Sequence, residues 1–256
     1  MLWNLWVRPK VDDQDCKEPN ITEENSMAIN EQWIKEFLGT FPDEFIQLNE
    51  TEQRISAQIY RLLAETGKPV SVQSLAKSLN LPESEVHQVL DDWTGLFYDD
   101  ENKIVGYWGL ALGKTAHRFA VNGHTLYAWC ALDSLFIPQI IGRTAQVESL
   151  DPVSKEVVRL TVTPEGVEQV EPSGAVTSLM FILPEIDQIR SDVIKSFCHY
   201  LHFFAAPETA EKWVAQSPKS SDLLTLSIED AFRIGFEKNL LQYRDILDSE
   251  ASIEVV

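Results

Sequence analysis

The chain has 256 residues, of which 44% are hydrophobic, and its 40 acidic and 21 basic side chains give a formal net charge of −19. This composition is typical of a folded protein with a sizeable core, and the negative charge argues against binding to nucleic acid or to an anionic membrane surface. No apolar run approaches the roughly 18 residues of a membrane span, and the N-terminus lacks a signal-peptide pattern, so we expect a cytoplasmic protein.

The first segment of the chain, residues 1–27, is rich in acidic side chains and poor in core-forming residues. Such a composition predicts a solvated, poorly ordered tail. Cys16 lies in this tail, in the stretch DDQDCKEPN, and we expect it to be a bystander. All three cysteines of the chain are expected to be free thiols, because three are too few for a disulfide scaffold.

Residues 28–110 predict a winged-helix-like helical domain. Two amphipathic helices are indicated by apolar residues at helical spacing. These residues are Trp33, Phe37 and Leu38 in the first helix and Ile55, Ile59 and Leu62 in the second. A helix-turn-helix outline follows, with Ser71 at the start of one helix and a turn at 80–82, and two strands around the turn at 99–102 complete the wing.

The last helix of this outline argues against DNA binding. DNA-reading helices of winged-helix proteins present lysine and arginine, whereas the segment from Glu83 to Asp92 contains acidic residues and neither basic type. We therefore expect no nucleic-acid partner.

Residues 111–256 predict an α+β catalytic domain. Several short segments with turn signals between them indicate an antiparallel sheet, and helices are predicted at 126–137, before Cys198, at 207–216 and at 228–243. The fold class is therefore α+β, with the helical domain followed by an antiparallel sheet that helices flank.

A thiol and a carboxylate stand three residues apart in the apolar stretch LYAWCALDSLFIPQIIGRTA, as Cys130 and Asp133. On a helix, this spacing places both side chains on one face. Apolar neighbours are expected to raise the proton affinity of the carboxylate, as a proton donor near neutral pH requires. Cys198 lies much later, in the apolar segment SFCHYLHFF, and the residues alone do not bring it to the first motif.

Three other interpretations of these residues remain open at this point. The cysteines could be small buried core residues, with the aspartate as a cap or ion-pair partner. A structural zinc site could combine the three residues with His199 or His202, although no Cys-x-x-Cys pair is present. A cysteine hydrolase could use His124 or His202 as its base, although neither lies in a recognisable signature.

The side chains around the motifs have mostly structural explanations. His199 and His202 alternate with their neighbours as strand residues do, and hydrogen-bonded structural histidines are expected. Several aromatic residues could line an apolar pocket, although core packing explains most of them. These are Tyr127, Trp129, Phe136, Phe197 and Phe203.

Four segments in order resemble the organomercurial lyase (alkylmercury lyase) family: the stretch around Cys130, then VEPSGAVTSL, SFCHYLHFFAAPETAEKW and SIEDAF. The resemblance extends from about residue 55 to about residue 241. It implies that Cys130 and Cys198 are the two active-site thiols and mercury ligands, and that Asp133 is the proton donor and a weak third ligand. The departures are the acidic N-terminus with Cys16, and His199 where some relatives carry a further cysteine.

The resemblance also implies the reaction, which is protonolytic cleavage of a carbon–mercury bond to give a hydrocarbon and mercury(II). The substrate is an organomercurial, no cofactor is required, and mercury(II) stays bound as product until external thiols or mercuric reductase accept it. Mercury is a very soft ion and prefers thiolate ligands, which fits two cysteines. The alternative is a non-enzymatic protein that binds or senses mercury or organomercurials, which would have no need of Asp133.

Overall fold

The computed structural model describes residues 29–41 and 47–251. The predicted acidic tail at 1–27, with Cys16, lies outside the described residues. No described helix is both long enough and apolar enough to cross a membrane.

Four helices open the described chain, and capping side chains define where the first three begin. They are α1 (Glu31–Leu38), α2 (Glu50–Thr66), α3 (Val72–Leu79) and α4 (Glu83–Asp91). Asn49 caps α2 through a reciprocal capping box, and Ser71 caps α3 as predicted. The predicted Leu62 of α2 is partly buried and packs against the core, and its neighbour Leu63 is fully buried.

A hairpin follows around the predicted turn, with strands β1 (Leu96–Tyr98) and β2 (Ile104–Tyr107). The carboxylate of Asp99 closes the turn by accepting from the backbone N–H groups of Glu101 and Lys103, both at 2.9 Å. The short strand β3 (Leu110–Ala111) pairs with β2, and β3 in turn pairs with a strand of the C-terminal half.

These strands belong to one eight-stranded antiparallel sheet of order β1-β2-β3-β5-β4-β6-β7-β8. Its other members are β4 (His117–Val121), β5 (His124–Ala128), β6 (Ala145–Leu150), β7 (Val157–Val162) and β8 (Val167–Glu171). Because the hairpin hydrogen-bonds into the same sheet as the C-terminal strands, the sheet runs across residue 110. The winged-helix-like interpretation and the division into domains at that residue stay predictions.

A second sheet of three strands has the order β10-β9-β11. Its strands are β9 (Val176–Met180), β10 (Phe203–Phe204) and β11 (Leu223–Ser227). The remaining helices are α5 (Ala131–Ile141), α6 (Ile186–Ser196), α7 (Pro207–Gln216), α8 (Ile228–Gln242) and α9 (Arg244–Ala251). Helices and antiparallel sheet together confirm the α+β class.

The helix predicted at 126–137 is wrong at its start. Residues 124–128 form β5, which pairs with β4 through a turn whose residues Asn122 and Gly123 have φ of 51° and 78°. Such a two-residue turn, with positive φ at both positions, favours a tight hairpin. The helix begins instead at Ala131 and continues through Pro138 to Ile141, where Gly142 ends it with φ 62°.

Candidate active site

Cys130 is the N-cap of α5 and Asp133 is its third residue. The backbone N–H of Cys130 donates to Asp133 Oδ2 at 2.9 Å, and the backbone N–H of Asp133 donates to the Cys130 side chain. This is the reciprocal arrangement of a capping box, with a thiol in place of the usual hydroxyl. The predicted proximity of thiol and carboxylate is therefore present, but it comes from the helix cap, because Cys130 itself has extended backbone dihedrals.

Cys198 reaches this cap through a short 3₁₀ turn, Cys198–Tyr200, that follows α6. The carbonyl of Leu201 accepts from the backbone N–H of Ala131 at 3.2 Å, which ties the turn to the start of α5. From the other side, Ser178 Oγ on β9 donates to the carbonyl of Tyr200 at 2.8 Å. Two elements distant in sequence thus hold Cys198 beside Cys130.

The two thiols and the carboxylate form one compact cluster. One ligand atom from each of Cys130, Asp133 and Cys198 lies within 4.8 Å of the others, and all three side chains are buried. In the part of the chain that the structure describes, this is the only cluster of three or more histidine, cysteine or acidic side chains close enough to share a metal ion.

Burial dominates the electrostatics of the cluster. Desolvation raises the pKa of Asp133 to about 6, although its hydrogen bonds with Cys130 oppose the rise. Desolvation also raises the pKa of Cys130 well above its ordinary value. The hydrogen bond with Cys130 lowers the pKa of Cys198, but burial and the Asp133 charge outweigh it and the net pKa is raised. Both thiols therefore hold their protons near neutral pH, and the carboxyl can take one up.

The turn between β2 and β3 covers Asp133. Gly109 has φ 102°, and a Cβ at this position would lie 2.5 Å from Asp133 Cγ. Trp108 has φ 27°, which is unusual for a bulky residue. The Tyr60 hydroxyl holds the turn by donating to the Trp108 carbonyl at 2.6 Å, and the Gly109 carbonyl accepts from Trp129 N–H at 2.8 Å. No turn is predicted here from the sequence, and nothing in the sequence places Gly109 against Asp133.

A cavity of about 240 Å³ opens onto Asp133 and Cys198. Most of its wall is apolar, including Trp93, Trp108, Trp129, Leu132, Phe136 and Phe197. Three of the five predicted pocket aromatics thus line it, whereas Tyr127 and Phe203 do not. The volume and apolar lining suit a small alkyl or aryl group.

Lys238 of α8 also lines the cavity, and the sequence interpretation missed it. Its Nζ lies 4.1 Å from the centroid of the Phe136 ring and donates to Gln242 Oε1 at 2.7 Å. Burial lowers its pKa to about 8, and the Asp133 charge opposes this shift. A single lysine in an amphipathic helix carries no local sign that it faces a site, so only the packing of α8 reveals it.

The histidines considered for zinc or hydrolase sites lie outside the cluster. The prediction that His199 and His202 are strand residues is wrong, because His199 lies in the 3₁₀ turn and His202 follows it. The Nε2 of His202 is 2.8 Å from the His199 carbonyl oxygen. Its ring stacks on His117 and packs against Trp213. His202 is therefore a hydrogen-bonded structural histidine, and neither His199 nor His124 joins the thiols and carboxylate.

Comparison with known proteins gives consistent results. A sequence model of the alkylmercury lyase family matches residues 110–238. The chain is 44% identical over 178 residues to an alkylmercury lyase of Staphylococcus epidermidis, covering 69% of this chain and 77% of that protein. It is 37% identical over 212 residues to an alkylmercury lyase of Pseudomonas putida, covering 83% of this chain and 91% of the relative.

A solved structure, the mercury-bound form of MerB2, has the same fold with a TM-score of 0.60 at 21% identity, covering 82% of this chain and 97% of that one. Since the chain spans more than two thirds of relatives to which it is well over 30% identical, it belongs to the alkylmercury lyase family.

Proposed function

We propose that the chain cleaves the carbon–mercury bond of organomercurials by protonolysis, with Cys130 and Cys198 as mercury ligands and Asp133 as proton donor. The observation that carries this proposal is the buried cluster of two thiols and one carboxylate within 4.8 Å. Mercury prefers thiolate to imidazole or carboxylate ligands, so the two sulfurs are the natural ligands of the metal and the carboxyl is left for acid–base chemistry.

In the first step, one thiol exchanges its proton for the organomercurial cation and forms a sulfur–mercury bond. The second thiol then passes its proton to the Asp133 carboxylate and bonds to the same mercury atom. Two thiolates donate more electron density to mercury than one, which weakens the carbon–mercury bond and makes the carbon basic. The pKa of Asp133, raised to about 6, suits both acceptance and return of a proton near neutral pH.

In the second step, the carbon–mercury bond breaks as carbon takes the proton from Asp133. The products are a hydrocarbon, mercury(II) bound to both sulfurs, and an ionised Asp133 that can serve as a weak third ligand. One proton is released overall for each substrate, because two thiol protons are lost and one ends on carbon. The apolar cavity wall excludes water that would otherwise compete for the proton.

Turnover then requires removal of mercury(II). We propose external small thiols or mercuric reductase as the acceptor, in the cytoplasm, with no further cofactor. The structural neighbour MerB2 was solved in a mercury-bound form, which supports the proposal that this chain also binds mercury. We also propose that residues 28–110 act as a winged-helix-like unit that covers the catalytic part through the β2–β3 turn.

The test is Asp133→Asn, with phenylmercury as substrate and an excess of small thiol. The variant should bind one organomercurial per chain and release no benzene, because an amide is too weak an acid to protonate carbon. Bound mercury and released benzene are measured in one sample, with the exposed Asp100→Asn as control. Normal benzene release by Asp133→Asn would remove Asp133 from the chemistry, whereas binding without release in the unmodified chain would support the mercury-binding or sensing alternative.

A further inference from the structure

Lys238 is a charged residue in the mostly apolar wall of the cavity. Gly235 and Lys238 stand three residues apart on α8 and share one face of that helix. A Cβ at Gly235 would lie 2.8 Å from Phe136 Cβ, so this glycine lets α8 approach α5 closely. The close approach sets the Lys238 ammonium 4.1 Å from the Phe136 ring centroid, facing the cavity.

This ammonium has no ion-pair partner among the described side chains. Its hydrogen-bond acceptor is the neutral Gln242, and the acid whose charge affects its pKa is Asp133. The other charged residues along the cavity, Asp92 and Arg190, are exposed. A half-buried cation beside an apolar cavity is costly to desolvate, and an anion brought into the cavity would offset that cost.

The positions along α5 match the length of a substituted aryl group. Cys130 caps the helix, and Asp133 lies one turn later. Phe136, whose ring contacts the Lys238 ammonium, lies three residues beyond Asp133. Six residues of helix span roughly 9 Å along the axis. An arene that carries mercury on one ring carbon and a carboxylate on the opposite ring carbon has a comparable length.

We propose that Lys238 is a specificity-determining residue that pairs with an anionic substituent, so that the cavity favours arylmercurials carrying a carboxylate remote from mercury. This inference rests on the proposed carbon–mercury lyase function. The chain carries a net charge of −19, which repels anions in general, so any preference for a carboxylate must come from a local cation.

The experiment compares 4-chloromercuribenzoate with phenylmercury in the unmodified protein, Lys238→Met and Lys238→Arg, with exposed Lys212→Met as control. The quantity measured is the ratio of kcat/KM for the carboxylated substrate to kcat/KM for phenylmercury. Lys238→Met should lower this ratio about tenfold, mainly through KM, because it removes one charged hydrogen bond. Lys238→Arg and Lys212→Met should keep the ratio of the unmodified protein.

A second measurement needs no variant. The unmodified protein should cleave 4-chloromercuribenzoate with a lower KM than its neutral carboxamide analogue, and added salt should narrow the difference. Two results would overturn the preference while leaving the lyase function intact. One is an equal loss of kcat/KM for both substrates in Lys238→Met, and the other is an equal KM of the unmodified protein for the carboxylate and the carboxamide substrates. Failure of the unmodified protein to release benzoate or benzene would refute the lyase function, and the preference with it.

Discussion

Gly109→Ala tests whether the β2–β3 turn holds the proton donor in place. The new methyl group would lie 2.5 Å from Asp133 Cγ, whereas ordinary contact begins at 3.4 Å. The turn or the carboxyl must therefore move by about 1 Å, and a misplacement of that size near the reacting groups costs about 100-fold in rate. Alanine at φ 102° adds backbone strain of about 1–3 kcal/mol.

Gly123→Ala is the matched control, since Gly123 also has a positive φ, of 78°, but a Cβ there would meet nothing within 4 Å. Both variants should lose about 1–3 kcal/mol of stability from strain, or roughly 2–4 °C in Tm per kcal/mol for a chain of this size. Only Gly109→Ala should also lose about 100-fold in kcat for benzene release from phenylmercury.

Three quantities are measured: benzene release with excess thiol, thermal unfolding by circular dichroism, and stoichiometric binding of mercury(II). Gly109→Ala should retain mercury(II) binding, because both sulfurs remain. The reasoning would be refuted if Gly109→Ala kept kcat within about threefold of Gly123→Ala while the two lost similar stability. The contact between the turn and Asp133 would then have no catalytic role.

Two further predictions concern the cluster itself. Cys130→Ser and Cys198→Ser should each abolish turnover, because a hydroxyl is too hard a ligand for mercury. Serine is a favoured N-cap, so Cys130→Ser should still fold. Near-normal benzene release in either variant would contradict the two-thiol mechanism. The folded pKa of Asp133, about 6, exceeds its unfolded value, so its stabilising contribution is complete below about pH 4 and is lost as pH rises through 6. Relative to Asp133→Asn, the unmodified protein should therefore lose about 2 kcal/mol of unfolding free energy between pH 4 and pH 7 in denaturant titrations, and parallel pH profiles would contradict the raised pKa.

Local signals in the sequence were sufficient for most of the secondary structure. Ser71 caps α3 as predicted, the turn at 99–102 closes the β1–β2 hairpin, and α7 occupies the predicted 207–216. These features depend on side chains and backbone within a few residues of each other, so the sequence contains the information directly. The error at 126–130 arose because an apolar stretch suits a buried strand as well as a helix, and pairing with β4 decided between them.

The sequence by itself determined that a thiol and a carboxylate would be neighbours, because three residues of chain connect them in either a helix or a helix cap. Only the tertiary structure brings Cys198 to Cys130, sets Gly109 against Asp133 and places Lys238 over Phe136. Those contacts join segments far apart in the chain, and they follow from the burial of apolar helix and sheet faces against one another. The free energy of that packing is shared among many residues, so no short motif specifies it.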